Sequence, residues 1–230
     1  MLLAIDTATR FMSLALHDGK ELIGEQTLLI GNQHTTQLAP SIRSMMAVCD
    51  VSMDSLTALA VSIGPGSYTG LRIGVSLAKG LASVRSLPLV GITTLDTLAA
   101  AHPYIQSGGG LIAVVQAGRG RIIVKTYRWR KGRWSSHAEP QIMDWETLFA
   151  SVDGPALLTG EVNEVGLEAL AEAHAKNIPV TLSPPAQRMR RAGFMAEMAW
   201  QQLNEAVDKK IFAASKVLPV YVKSEEKGAI

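Results

Sequence analysis

Three stretches of the sequence have residue types and spacings that could do chemistry. The densest is Gly64-Pro65-Gly66-Ser67-Tyr68-Thr69-Gly70-Leu71-Arg72-Ile73-Gly74. Its glycines allow positive φ and close backbone approach, and Pro65 restricts Gly64, so such a loop can aim N–H groups and a helix N-terminus at an anion. It lacks the Gly-Lys-Ser/Thr ending of a P-loop and the spacing of the dinucleotide fingerprint. Two readings stay open: a rigid strand-to-helix turn, with Gly64, Pro65, Gly66, Ser67 and Thr69 structural, or contact with a ligand or partner. The second stretch centres on Asp6, which could orient a metal-bound water or a phosphate, or simply anchor a turn through Thr7 and Thr9. The third is basic: Arg119, Arg121, Lys125, Arg128, Arg130, Lys131 and Arg133 occur without one acidic residue and are interleaved with Tyr127, Trp129 and Trp134. Cations with aromatics suit a phosphate backbone and unstacked bases, although a solvated hairpin is the plainer account.

Other chemistries are excluded by composition. Cys49 is the single cysteine and the five histidines are scattered, so no zinc spacing and no intrachain disulfide exist, and a nucleophile-base-acid triad cannot be assembled. Cys49 itself reads as a small core residue. With 47% hydrophobic and 18% charged residues, the 230-residue chain can bury one large core or two small ones, which rules out intrinsic disorder. The formal charge of +2 gives no whole-molecule field for nucleic acid or anionic lipid. Charge is uneven, however: residues 1–115 carry six basic and seven acidic side chains, residues 116–230 sixteen and thirteen. The start, Met1-Leu2-Leu3-Ala4-Ile5-Asp6, has no basic leader, and no apolar run approaches the ~18 residues of a membrane span. A cytoplasmic protein without membrane contact is expected.

The elements that must position these residues follow from periodicity. Leu2 to Thr7, Phe11 to His17 and Lys20 to Leu29 read as three antiparallel strands with a turn at Asp18-Gly19. Leu38, Ile42, Met45, Met46 and Cys49 recur at helical spacing from His34 onward. A strand over Thr57 to Ile63 feeds the glycine-rich loop, a helix runs from about Gly70 to Val84, and a strand at Pro88 to Ile92 precedes a helix at Thr93 to Ala101. Gln106 to Gly110 is the best linker. Beyond it, strands at Leu111 to Val115 and Arg121 to Trp129, a turn at Lys131-Gly132 and a further strand from Arg133 are followed by helices at Asp144–Ser151, Asn163–Lys176 and Arg190–Asn204. Strands at Ala156–Thr159 and Ile178–Leu182 alternate with these helices. The order, strand meander and then alternating helix and strand, occurs twice, which predicts a duplicated α/β architecture with mixed sheets. In the helix after the glycine-rich loop, Gly70, Gly74, Ala78 and Ala82 recur every four residues and leave one ridge nearly bare. That ridge could admit a neighbouring backbone at ~8 Å, while Leu71, Val75, Leu77 and Leu81 are better placed to pack on the protein's own sheet.

Ile5-Asp6-Thr7-Ala8-Thr9, His34 before its helix, the run Gly64 to Gly74, and the terminal Pro219-Val220-Tyr221-Val222-Lys223 together resemble the bacterial TsaB family, also called YeaZ. The resemblance covers essentially the whole chain and is most specific in residues 1–102. It implies a duplicated actin-like ATPase (ribonuclease H-like) fold of two lobes, each a mixed β-sheet flanked by helices. The lobes are expected at 1–105 and 106–230, with the first carrying the dimerisation helices.

The functional implication is a non-catalytic subunit in making threonylcarbamoyladenosine at position 37 of tRNAs. A TsaD-like catalytic subunit is the implied partner, a TsaE-like ATPase joins the assembly, and the same helices also serve a homodimer. Carried onto this sequence, the dimer contact falls on His34, Leu38, Ile42, Met45, Gly70, Arg72, Gly74, Leu77, Ala78 and Leu81. No cofactor is expected on this subunit alone; ATP or ADP is allowed at the complex interface, and tRNA contact is expected to be indirect. Nucleotide-binding members of the superfamily open each lobe with Asp-X-Gly, whereas here the turns read Asp6-Thr7-Ala8 and Gln116-Ala117-Gly118. Ala8 adds a Cβ where a phosphate needs close approach, and Gln116 removes a carboxylate, so Asp6 and Thr7 are expected to mark a vestigial nucleotide site. Gln116 and Arg121 also depart from the Asp and Glu usual in the family. The catalytic relative's metal-binding His-X-X-X-His is absent. An ATPase or phosphotransferase of the superfamily is the alternative, and a glycoprotease-like peptidase a further one.

Overall fold

A computed structural model describes residues 1–103 and 109–222. The chain forms two compact units, and the first comprises Met1–Thr97 with Arg190–Val220. Its sheet is built from β1 (Leu2–Asp6), β2 (Phe11–His17), β3 (Leu22–Leu29), β4 (Ala58–Gly64) and β5 (Leu89–Thr93), with α1 (His34–Val48) and α2 (Tyr68–Arg85) connecting the last three strands. The order is β3-β2-β1-β4-β5; β2 runs antiparallel to β1 and β3, while β4 is parallel to β1 and β5. A helix α3 (Thr94–Ala100) follows β5 and spans the division between the units.

Every residue of β1 is buried, because alternate side chains enter two different cores. Leu3 and Ile5 join Leu14, Leu16, Leu59 and Val61 beneath α1 and α2. Leu2 and Ala4, with Ala15 and Ala60, face the last helix of the chain through its Ala192, Ala196 and Ala199.

The second unit contains β6 (Gly110–Gly118), β7 (Arg121–Arg130), β8 (Arg133–Ser135), β9 (Gln141–Met143), α4 (Trp145–Ala150), β10 (Ala156–Gly160), α5 (Glu164–Ala175) and β11 (Val180–Leu182). Its order, β8-β7-β6-β10-β11, repeats that of the first sheet strand for strand, with β9 added against β7. Ile112, Val114, Ile122, Val124 and Leu158 of one sheet face pack on Trp145, Phe149 and Leu170 of α4 and α5. The duplicated mixed-sheet fold expected from the sequence is therefore present.

The expected division at 105/106 needs correction. The last helix, α6 (Ala192–Glu205), packs on β1, β2 and β5, so residues 190–220 belong to the first unit. Its entry is fixed by polar contacts: Ser13 Oγ accepts from Ala192 N at 2.8 Å, Glu25 Oε1 accepts from Gly193 N at 2.7 Å, and Arg191 pairs with Glu25. These satisfy helix-start N–H groups that have no partner within the helix. The proposed linker at 106–110 lies mostly outside the described residues, as does Lys223.

Candidate functional site

Two places in the first unit contain the residues singled out by sequence, and they differ in what is left available. The first is the turn after β1. Asp6 and Arg190 are both buried, and Arg190 Nε donates to Asp6 Oδ2 at 3.0 Å. The other carboxylate oxygen accepts from Ala8 N at 2.8 Å, and Arg190 also donates to Thr9 Oγ1. A buried carboxylate without a partner would be costly, and the Arg190 guanidinium supplies that partner.

The glycine-rich loop closes the same turn from the other side. The Gly64–Pro65 peptide is cis, Ser67 N donates to the Ala8 carbonyl at 2.6 Å, and Ser67 Oγ caps α2 by accepting from Gly70 N at 3.2 Å. Thr7 Oγ1 donates to the Gly70 carbonyl at 2.7 Å. A Cβ on Gly66 would overlap the Ala8 carbonyl, one on Gly70 the Thr7 carbonyl, and one on Gly74 the Thr7 hydroxyl. Gly64, at φ +103°, lies under the Val220 carbonyl, and Val220 N donates to Ile63 O at 2.7 Å. Ser67 and Gly70 of the loop are thus bonded within the chain, and the Asp6 carboxylate and Thr7 hydroxyl have protein partners.

The bare ridge of α2 is corrected by the same contacts. Gly70, Gly74, Ala78 and Ala82 are all buried in the lobe, and at Gly70 and Gly74 only a glycine lets the helix meet Thr7 of the β1 turn. His34, Leu38 and Met45 are likewise core residues, at 5%, 2% and 7% exposure, and are not surface available to a partner. What remains outward is the opposite side. Leu77 and Leu81 of α2, with Ala39 and Ala47 of α1, line an apolar groove of about 390 Å³ whose floor is Ile42 and Met46, each only 5% exposed and part of the lobe's core. Val51 and Met53 close one end, where Arg85 donates to the Met53 carbonyl at 2.6 Å. Beyond the groove Val48 and Val84 are each 84% exposed. Arg72 is exposed at the start of α2, with its guanidinium 3.8 Å over the Tyr68 ring. Sequence reasoning did not assign Ala39, Met46 and Ala47 to this face, although their spacing from Ile42 and Arg43 along α1 is the signal that would have done so.

Comparison with known proteins decides which family this geometry belongs to. The family described as "TsaD: tRNA N6-adenosine threonylcarbamoyltransferase" matches residues 28–215. The tRNA threonylcarbamoyladenosine biosynthesis protein TsaB of Bacillus subtilis is 32% identical over 163 residues, covering 69% of this chain and 70% of that protein. The chain belongs to the TsaB family. YeaZ of Pseudomonas aeruginosa superposes with a TM-score of 0.73 at 23% identity, over 96% of this chain and 99% of that one. (R)-2-Hydroxyglutaryl-CoA dehydratase component A of Acidaminococcus fermentans gives 0.51 at 13% identity, over 89% and 99%. Both share the actin-like two-lobe fold.

Against this TsaB background the second lobe's opening turn can be described by its own contacts. Gln116 Nε2 donates to the Glu161 carbonyl at 2.6 Å, and Glu161 Oε2 accepts from Gln116 N at 3.2 Å. The amide therefore takes a structural place beside β10. Gly118, Arg119 and Gly120 all have positive φ, and neither glycine has a neighbour within 4 Å of a built Cβ. Among the described residues no group of three or more His, Cys, Asp or Glu could hold a metal ion, and no helix is long and apolar enough to cross a membrane.

Proposed function

We propose that this chain is a non-catalytic subunit in the synthesis of tRNA threonylcarbamoyladenosine, and that its α1–α2 groove receives a TsaD-like catalytic partner. The observation that carries the reading is the apolar groove lined by Ile42, Leu77 and Leu81. Water against such a surface is unfavourable by roughly 25 cal/mol per Å² of apolar area, so covering it drives association. The contacts of Asp6 support the non-catalytic half of the proposal, since both carboxylate oxygens are taken up by Ala8 N and Arg190.

The test uses Ala47→Glu with Leu81→Glu, two positions on the groove wall that are exposed or half-buried. Capture of the TsaD-like subunit from the same organism should fall by more than about tenfold, because a charge desolvated at an interface centre costs well over 1.4 kcal/mol. The melting temperature of the isolated variant should stay near that of the parent. Undiminished capture would sink the docking reading. Titration with magnesium and ATP addresses the other half: tight binding with turnover by the isolated chain would make it an ATPase instead.

A further inference from the structure

The basic stretch singled out in the sequence is not one patch in the structure. Arg119 and Arg121 lie at one end of β7, and Arg128, Arg130, Lys131 and Arg133 at the other, some ~30 Å away by strand rise. The second group forms the tip of the β7–β8 hairpin. Its register pairs Arg128 with Ser135, Trp129 with Trp134, and Arg130 with Arg133.

Directly opposed residues share a face, so Arg128, Arg130 and Arg133 stand on one side of the hairpin and the two tryptophans on the other. Two like charges directly across a strand pair are destabilising. Lys131 adds a third charge in the turn itself, at φ +51°. Arg130, Lys131 and Arg133 are exposed and have no ion-pair partner among the described residues, while Arg128 reaches Asp153 at only 4.0 Å. The nearest acid in sequence beyond β8 is the exposed Glu139. An unneutralised cluster that works against its own hairpin is a feature that a polyanion would relieve.

The tryptophans on the other face belong to the hairpin itself. Trp129 and Trp134 meet edge to face with centroids 5.3 Å apart, both are half-buried, and Trp134 Nε1 donates to the His102 carbonyl at 3.0 Å. They pack on each other and hold the hairpin, on the face opposite the cations. What remains is two guanidiniums and an ammonium on a narrow tip, a donor set that matches phosphate oxygens. We propose that the β7–β8 tip, through Arg130, Lys131 and Arg133, grips the phosphate backbone of tRNA during modification. The contact is sequence-independent and local, in keeping with a chain whose formal charge is only +2.

This inference rests on the tRNA role proposed above, and its test separates the two. Fluorescence anisotropy follows an unmodified tRNA transcript binding to the full chain, between about 50 and 200 mM KCl. In the Arg130→Gln/Lys131→Gln/Arg133→Gln variant, affinity at the low-salt end should drop by about tenfold or more, and the slope of log K against log salt should flatten by about 2 to 3. Arg130→Lys/Arg133→Lys keeps the charge and should keep the slope; if the triple variant fails to fold, Lys131→Gln/Arg133→Gln takes its place and should flatten the slope by about 1 to 2. Equal binding and equal slope in parent and triple variant would overturn the proposal. So would absence of tRNA binding by the parent at low salt, or binding only to phosphatidylglycerol vesicles. Capture of the TsaD-like subunit is measured alongside: its failure in every variant, with tRNA binding intact, removes the partner reading and leaves this one standing.

Discussion

The turn after β1 and the turn after β6 occupy the same place in two copies of one topology, yet they are finished in different ways. The first is closed from all sides. Asp6 is held by Arg190, the Thr7 hydroxyl by Gly70, and the Ala8 carbonyl by Ser67. The second has an amide in place of the carboxylate, satisfied through Glu161, and its glycines Gly118 and Gly120 are open. A duplicated fold thus keeps its strand order while each copy settles its own polar groups. In the first unit the outward apolar groove lies elsewhere, on α1 and α2.

The largest effect that would break this comparison is expected at Arg190. Arg190→Met leaves the Asp6 carboxylate buried and unpaired, which should cost about 3–5 kcal/mol in urea unfolding. Adding Asp6→Asn removes the stranded charge, so the double variant should recover much of that loss. If Arg190→Met alone is nearly neutral, the first turn is not closed by this ion pair.

Glycine substitutions sharpen the contrast at a middle scale. Gly70→Ala drives a Cβ into the Thr7 carbonyl and should destabilise by about 1–3 kcal/mol, the usual penalty of overpacking. Gly118→Ala, at φ +75° in open space, meets only backbone strain of about 1 kcal/mol. Equal losses at the two sites, measured by thermal melting, would erase the distinction between a closed and an open turn.

The smallest effect concerns pH. His102 is buried in the second unit, its Nε2 is 2.8 Å from Thr159 Oγ1, and its Nδ1 has no partner. Burial lowers its pKa, opposed by the Gln187 carbonyl. The folded state therefore binds this proton less readily than the unfolded chain, whose histidine titrates near 6.5. The stability contributed by neutral His102 is complete above about pH 6.5 and is lost as pH falls toward the lower folded value. Trp129, Trp134 and Trp145 lie in the second unit and Trp200 in the first. Fluorescence of a Trp200→Phe protein should then show a falling unfolding midpoint below that pH, and His102→Gln should flatten it.

Much of the fold was legible because it is local. The apolar run from Leu2, the alternation in Phe11 to His17 and the 3.6-residue spacing of Leu38, Ile42 and Met45 need only neighbours in sequence, and the repeat of strand meander and alternating helix followed from such patterns. On α2, Leu71 and Val75 pack inward as their spacing predicts, whereas the sequence assigns the small-residue ridge to a partner. Small residues at Gly70, Gly74 and Ala78 signalled close approach correctly, but periodicity does not say what approaches, and the answer is the β1 turn of the same lobe. Likewise β9 is too short, at three residues, to leave a pattern of its own.

The order of residues by itself determined the duplicated architecture, the two helices that carry the outward groove, and the loss of the carboxylate at Gln116. Only the tertiary structure decided that Arg190 neutralises Asp6 across 184 residues of chain, and that α6 returns to complete the first unit. The reason is physical: a buried charge must be met by whichever opposite charge the packing brings to it, and an apolar sheet face by whichever helix covers it. Neither choice has a signature at short range.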